Sequence, residues 1–171
     1  MGTGAHCEIE LKYLIRRPDA AFLAAQPGCE VWVIEQVYLI DGEGGQTRRV
    51  RRVVSNGETR CYRTFKRFID RMSSDEDEAE IGAAEYEALL RERDPESRTI
   101  YKTRYRVPHA GHVLEFDLYP FWEDRAVLEI ELESEDEAPE IPDYVQIIRD
   151  VTGEPAYKNR MLARNVPMER V

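Results

Sequence analysis

Several things are missing from this 171-residue sequence, and each absence removes a class of function. No apolar run approaches the roughly 20 residues that a membrane-spanning helix needs, and no basic stretch leads into an apolar one near the N-terminus, so neither membrane insertion nor secretion is expected. Cysteine is scarce: Cys7, Cys29 and Cys61 are odd in number, have no CxxC spacing and neighbour apolar or strand-forming residues. That pattern suits reduced thiols and a cytoplasmic protein. The sequence has no GxSxG elbow, no phosphate loop ending in Gly-Lys followed by Ser or Thr, and no Cys-His arrangement that spacing supports, which argues against a covalent intermediate. His6, His109 and His112 lack the spacing of metal ligands. Positive charge is in deficit, with 24 Lys and Arg against 34 Asp and Glu and a net charge of -10. A nucleic-acid-binding surface is therefore disfavoured, although a polyanion inside a basic pocket is not.

What is present is charge in alternation. In the run HCEIELKYL, Glu8, Glu10 and Lys12 alternate with Cys7, Ile9, Leu11 and Tyr13, and a strand sends such neighbours to opposite faces. The arrangement returns at Arg49 and Arg51, at Tyr62, Thr64 and Lys66, at Lys102, Arg104 and Arg106, at Glu115 and Asp117, and at Glu129, Glu131 and Glu133. Strands with one charged and one apolar face can form a sandwich with a solvated outside. They can also form a barrel of about eight strands, turned inside out, with a polar lumen. Segregation by sign favours the barrel: later strands are purely basic or purely acidic on their charged face. A site for a metal-bound polyanion needs both, carboxylates for hard divalent cations and Arg or Lys for phosphate oxygens.

The run Glu8-Ile9-Glu10-Leu11-Lys12 resembles the ExExK signature of the CYTH superfamily, also called triphosphate tunnel metalloenzymes. The Arg-x-Arg pair, the Lys-x-Arg strand, the Glu-x-Glu strand and Lys158 in Tyr157-Lys158-Asn159 follow in that family's order, so the resemblance runs from Glu8 to about Ala163. It implies an α+β fold, a closed antiparallel β-barrel with helices packed outside, in one domain over residues 1–171. It also implies Glu8, Glu10, Glu129 and Glu131 as the metal set with Asp117 close by, binding Mg²⁺ or Mn²⁺, most simply as two ions. The expected phosphate cradle is Lys12, Arg49, Arg51, Lys66, Lys102, Arg104 and Lys158, with Glu8, Glu10, Lys12 and Lys158 in catalytic roles.

Some choices stay open in the sequence. Arg48, Arg49, Arg51 and Arg52 occur together, and a slip of one residue exchanges the lumenal pair; Arg49 and Arg51 are expected inside. Which of Glu78, Glu80 and Glu115 reaches the tunnel is not fixed, and Arg106 and Glu133 fit a rim as well as a site. Trp32 and Trp122 are expected to pack rather than to carry a nucleobase.

Strands are expected at about 5–14, 31–41, 46–54, 60–68, 98–107, 111–119 and 126–134. Asn56-Gly57 marks a tight hairpin. Residues 20–24 read as a short helix ending before Pro27-Gly28. Ser73 or Ser74 is placed to cap a helix with acids in its first turn and an apolar stripe at Ile81, Ala84, Tyr86, Leu89 and Leu90. After Pro142, the spacing of Tyr144, Val145, Ile147, Ile148 and Val151 predicts a helix ending at Gly153, and a last short helix carries Arg160, Met161 and Leu162.

The expected reaction is hydrolysis of a small-molecule triphosphate, foremost inorganic tripolyphosphate to pyrophosphate and phosphate, by metal-activated water in the tunnel. No nucleic acid or membrane partner is expected, and a homodimer is left open. The alternatives are an adenylate cyclase, a thiamine or nucleoside triphosphatase, and a non-catalytic sensor of polyphosphate or nucleotide.

Overall fold

The computed structural model of the protein describes residues 4–171. Its strands are β1 (Gly4–Arg16), β2 (Glu30–Tyr38), β3 (Thr47–Ser55), β4 (Glu58–Phe68), β5 (Ser73–Ile81), β6 (Ile100–His109), β7 (His112–Leu118), β8 (Arg125–Leu132) and β9 (Ile147–Asp150). Each pairs antiparallel with its neighbours in the order β5-β4-β3-β2-β6-β7-β8-β1, and β1 returns to β5, so eight strands close on themselves. The long β1 makes closure possible. Gly4–Ile9 pair with β5 on one edge, Ile9–Arg16 pair with β8 on the other, and β9 takes over the first edge at Tyr13–Ile15.

Local chemistry fixes the register. Asn56 and Gly57, both at positive φ (51° and 76°), form the two-residue turn between β3 and β4, where Ser55 faces Glu58; positive φ at both positions is what a primed hairpin turn requires. Ala110-Gly111 does the same between β6 and β7.

The barrel is apolar outside. Leu114, Phe116 and Leu118 of β7 and Leu128 and Ile130 of β8 lie under Leu23 of α1 (Ala20–Ala24) and under Ile141, Tyr144 and Val145. Asp19 caps α1 by accepting the Phe22 N–H at 2.9 Å. On the opposite side, Tyr86 of α2 (Ala83–Leu89) packs on Val37, Val50, Cys61 and Ile81. A third apolar cluster, including Leu14, Tyr119, Trp122, Val127, Val151, Tyr157 and Leu162, joins the lower part of the barrel to the C-terminal segment with α3 (Asn159–Leu162). Truncating a buried aromatic such as Phe116 or Trp122 to Ala is expected to cost about 3–5 kcal/mol.

Two segments expected to be helical are strands. The acidic run after Ser73 is β5, not a helix start; the helix begins only at Ala83. Its period is two: Ser74, Glu76 and Glu78 share a face and pair with Phe68, Lys66 and Thr64 of β4. Cross-strand charge partners override the local preference of acids for a helix N-terminus. The segment after Pro142 is an irregular turn followed by β9. Its apolar residues divide between two cores, Tyr144 and Val145 on the outer face and Ile148 and Val151 against the third cluster, so their spacing imitated a single helical stripe.

Candidate active site

The alternation that turns apolar side chains outward turns charged ones into a cavity of about 260 Å³, near the lower end for ligand pockets. Glu8, Glu10, Lys12, Arg49, Arg51, Lys66, Lys102, Arg104, Glu129, Glu131 and Lys158 all line it. The register question at β3 is resolved by Val50, fully buried on the outer face. Arg49 and Arg51 point inward, while Arg48 pairs with Glu92 at 3.1 Å and Arg52 lies over Tyr86. Glu78 and Glu115 line the cavity; Glu80 does not, and sits 3.8 Å from Arg60. Asp117 has no exposed surface and lies behind the lining.

One wall, built from β6, β7, β8 and the middle of β1, is neutralised from within. Asp117 accepts from Arg104 Nε at 2.7 Å, from Arg104 Nη2 at 2.9 Å and from Lys102 Nζ at 2.8 Å. Arg104 also donates to Glu115 and Glu129, each at 3.2 Å. Lys12 Nζ lies 3.2 Å from Glu129 and 3.3 Å from the Tyr157 carbonyl, which ties the wall to the C-terminal segment. Burial opposes the ionised form of Asp117, yet Arg104 and Lys102 hold its carboxyl below the usual range. Glu129 is likewise buried and is held well down by Lys12 and Arg104. Lys102 is different. Burial pushes its ammonium down to about 8, because Arg104 takes the bidentate position on their shared carboxylate and repels it.

Beside this wall the neutralisation stops. Glu10 and Glu131 are directly opposed across the β1–β8 pairing, a like-charge arrangement that weakens a sheet; neither forms an ion pair among the described residues, and at Glu10 the charges of Lys12 and Lys66 only partly offset burial. Burial, with Glu129 nearby, pushes Glu10 up to about 7. Burial, with Glu8 and Glu115, raises Glu131. Arg49 makes no close ion pair or hydrogen bond among the described residues, although against burial the field of Tyr38, Glu76, Glu78 and Glu8 holds its guanidinium above the usual range; its Nε is unmatched, as is that of Arg51. Arg51 reaches Glu78 only at 3.4 Å. Lys158 meets no acceptor among the described residues; burial, with Lys12 and Lys66, lowers its pKa.

Glu76 was not anticipated as a lumenal residue. It is buried on β5, its Oε2 3.7 Å from Lys66 and without a hydrogen bond. The alternation of Ser74, Glu76, Glu78 and Glu80 was the available signal. His6, Glu8 and Glu76 bring ligand atoms within 4.8 Å of one another, but Lys66 Nζ, 3.0 Å from Glu8, already supplies a cation there.

Among solved structures the chain is similar to the inorganic triphosphatase NE1496, with 26% identity and a TM-score of 0.56 over 94% of this chain and 100% of that one. It is also similar to the conserved hypothetical protein Pfu-838710-001 from Pyrococcus furiosus (25% identity, TM-score 0.57, 75% of this chain and 80% of that one). PH1819 from Pyrococcus horikoshii OT3 shares the fold at 19% identity (TM-score 0.57, with 75% and 80% covered). No family model and no curated protein matches the sequence.

Proposed function

We propose that this chain, a member of the CYTH superfamily of triphosphate tunnel metalloenzymes by its ordered charged strands and its closed eight-stranded tunnel, hydrolyses inorganic tripolyphosphate to pyrophosphate and phosphate. The observation that carries the reading is the pairing of unneutralised cations and unneutralised acids in one small lumen. Arg49 makes no ion pair or hydrogen bond among the described residues, Arg51 is matched only by Glu78 at 3.4 Å, Lys158 stands over the Phe68 ring, and Glu10 and Glu131 are opposed carboxylates with no ion pair of their own. Like-charged carboxylates set opposite each other weaken a sheet, so a fold that only needed stability would not keep that pair.

The residues fit a hard divalent cation. Glu10 and Glu131 are opposed carboxylates with no competing donor, and Glu8 and Glu129 flank them on the same face; oxygen donors of this kind suit Mg²⁺ or Mn²⁺. When bound, such an ion supplies Lewis acidity that neutralises phosphate charge and makes water a better nucleophile. The chain's own groups do the rest. Arg49, Arg51 and Lys66 on β3 and β4 face Lys12, Lys102 and Arg104 on β1 and β6, so a linear polyanion between them meets donors from both sides. Arg104 and Lys102 are held in place by Asp117, whose role here is positioning rather than metal ligation, because both cations already cover it. Preorganised donors of this sort stabilise charge that develops on the phosphoryl oxygens. The described residues contain no helix able to cross a membrane, and Cys7, Cys29 and Cys61 are unpaired thiols. Both support action in the reducing cytoplasm.

The test is a product assay with tripolyphosphate, ATP and thiamine triphosphate in the presence of Mg²⁺ or Mn²⁺. Tripolyphosphate is expected to give pyrophosphate and phosphate with the highest kcat/KM, and ATP to give ADP and phosphate. Cyclic AMP and pyrophosphate as the main products from ATP, with tripolyphosphate only inhibiting, would replace the hydrolase by a cyclase.

A further inference from the structure

Two aromatic side chains with open surface line the tunnel, Trp32 on β2 and Phe68 at the end of β4. Flat rings beside a phosphate site are natural stacking platforms for a nucleobase or another ring carried on the phosphates. Both are already covered. The Arg106 guanidinium lies 4.6 Å from the Trp32 ring centroid, with that of Arg51 at 5.9 Å, and Lys158 Nζ lies 3.1 Å from the centroid of Phe68.

The cover on Trp32 is built from several contacts. Arg106 donates through Nε to Glu115 at 3.0 Å, and its Nη1 lies 3.5 Å from Glu30 Oε2. The same Glu30 oxygen accepts the Trp32 indole N–H at 3.1 Å. One carboxylate therefore holds the ring and its cap together, at the point where Glu30 faces Arg106 and Trp32 faces Arg104 across the β2–β6 pairing.

We propose that Arg106 is a specificity-determining residue which, by capping Trp32, reserves the tunnel for triphosphates without an organic substituent. The inference rests on the triphosphatase reading and names its substrate class. A nucleoside triphosphate entering the tunnel must either expel Arg106 from Trp32, breaking its contacts to Glu30 and Glu115, or forgo stacking. Base–aromatic stacking is worth roughly tenfold to a hundredfold in affinity. Tripolyphosphate needs neither and keeps the cap as a nearby positive charge.

The experiment measures kcat/KM for tripolyphosphate and for ATP in the wild type, Arg106→Ala, Arg106→Lys and the double variant Trp32→Leu/Arg106→Ala. Arg106→Ala is expected to raise the ATP-to-tripolyphosphate ratio about tenfold. Arg106→Lys, which can still cap a ring, should leave the ratio near the wild-type value, and the double variant should lose the gain. An unchanged ratio in Arg106→Ala overturns the proposal, and so does an equal gain in the double variant. An equal loss on both substrates also overturns it, since that marks Arg106 as a phosphate ligand. If Arg106→Ala does not fold, Glu30→Gln loosens the same cap and should raise the ratio by a smaller factor; no rise overturns the proposal equally. Failure of the wild type to cleave tripolyphosphate would instead sink the triphosphatase reading.

Discussion

Two neighbouring regions of the lumen are built from the same residue types and do opposite things. Around Asp117 every lumenal carboxylate meets a cation: Asp117 meets Arg104 and Lys102, Glu115 meets Arg104 and Arg106, and Glu129 meets Lys12 and Arg104. Glu10, Glu131 and Arg49, by contrast, line the cavity without a close ion pair among the described residues. The first region is a finished electrostatic structure that supports the fold. The second is incomplete, and what would complete it is a polyanion for the arginines and cations for the acids. In one barrel, the same strand alternation yields a scaffold where opposite charges face each other and a site where they do not.

The largest expected effect comes from breaking the finished side. Asp117→Asn leaves Arg104 and Lys102 buried without their shared charge, which is expected to cost about 3–5 kcal/mol. That lowers the melting temperature by roughly 10 °C for a chain of this size. A melting temperature within a degree or two of wild type would show that Asp117 is not the pillar of that wall.

Completing the unfinished side should do the reverse. A divalent ion with tripolyphosphate at about a hundred times Kd is expected to stabilise the native state by about 2.7 kcal/mol, a rise of several degrees in the melting temperature. Saturating ligand without any shift would mean that the unpaired charges are not a binding site.

Arg49 sharpens the contrast with Arg104. Arg49→Met removes a cation that makes no close ion pair among the described residues but sits in the field of Glu8, Glu76 and Glu78, so it should cost clearly less stability than Arg104→Met. The lost charged contact to substrate should lower kcat/KM for tripolyphosphate by about 2 kcal/mol, or roughly thirtyfold. Arg104→Met should lose both stability and activity. Equal destabilisation by the two substitutions would erase the distinction.

The remaining contrast is in pH dependence. Glu10 rises from 4.5 to about 7 in the native state, so its protonated form is favoured by folding. Its contribution is fully present below pH 4.5 and is lost as pH rises through 7. Glu129 is shifted the other way; its contribution is present above pH 4.5 and is lost only in more acidic solution. Between pH 4.5 and 7 the metal-free protein should therefore lose stability through Glu10, with Glu131 acting in the same direction. Melting curves in chelator should show a smaller loss across that window for Glu10→Gln than for wild type.

Much of this contrast was legible in the sequence, and the gaps have physical causes. The charged faces of β1, β6, β7 and β8 follow from alternation, because their other faces are mostly apolar; on β3 and β4 the other face also carries Arg48, Arg52, Arg63 and Arg67, and only burial of Val50 fixes which arginines turn inward. β5 escaped because its outer face carries Asp75 and Asp77 before Ala79 and Ile81, which leaves little hydrophobic period to read. Glu76 was lost with it. β9 escaped because the apolar residues around it, Tyr144, Val145, Ile148 and Val151, divide between two cores. Alternation tells which face a side chain takes, not how far it reaches: Asp117, expected close by the metal set, is a short carboxylate that lies beneath Arg104 and Lys102 and is covered by them. Pairing between strands decides which charges are spent, and that information lies in the register rather than in any one segment.

The central claim is that Glu10 is kept unpaired for the ligand and not for the fold. The direct measurement is phosphate release from tripolyphosphate by Glu10→Gln beside wild type, with both shown to melt normally in chelator. The account predicts a fall in kcat on the order of a hundredfold or more in a protein at least as stable as wild type without metal. A stable Glu10→Gln variant that hydrolyses tripolyphosphate at the wild-type rate would contradict it.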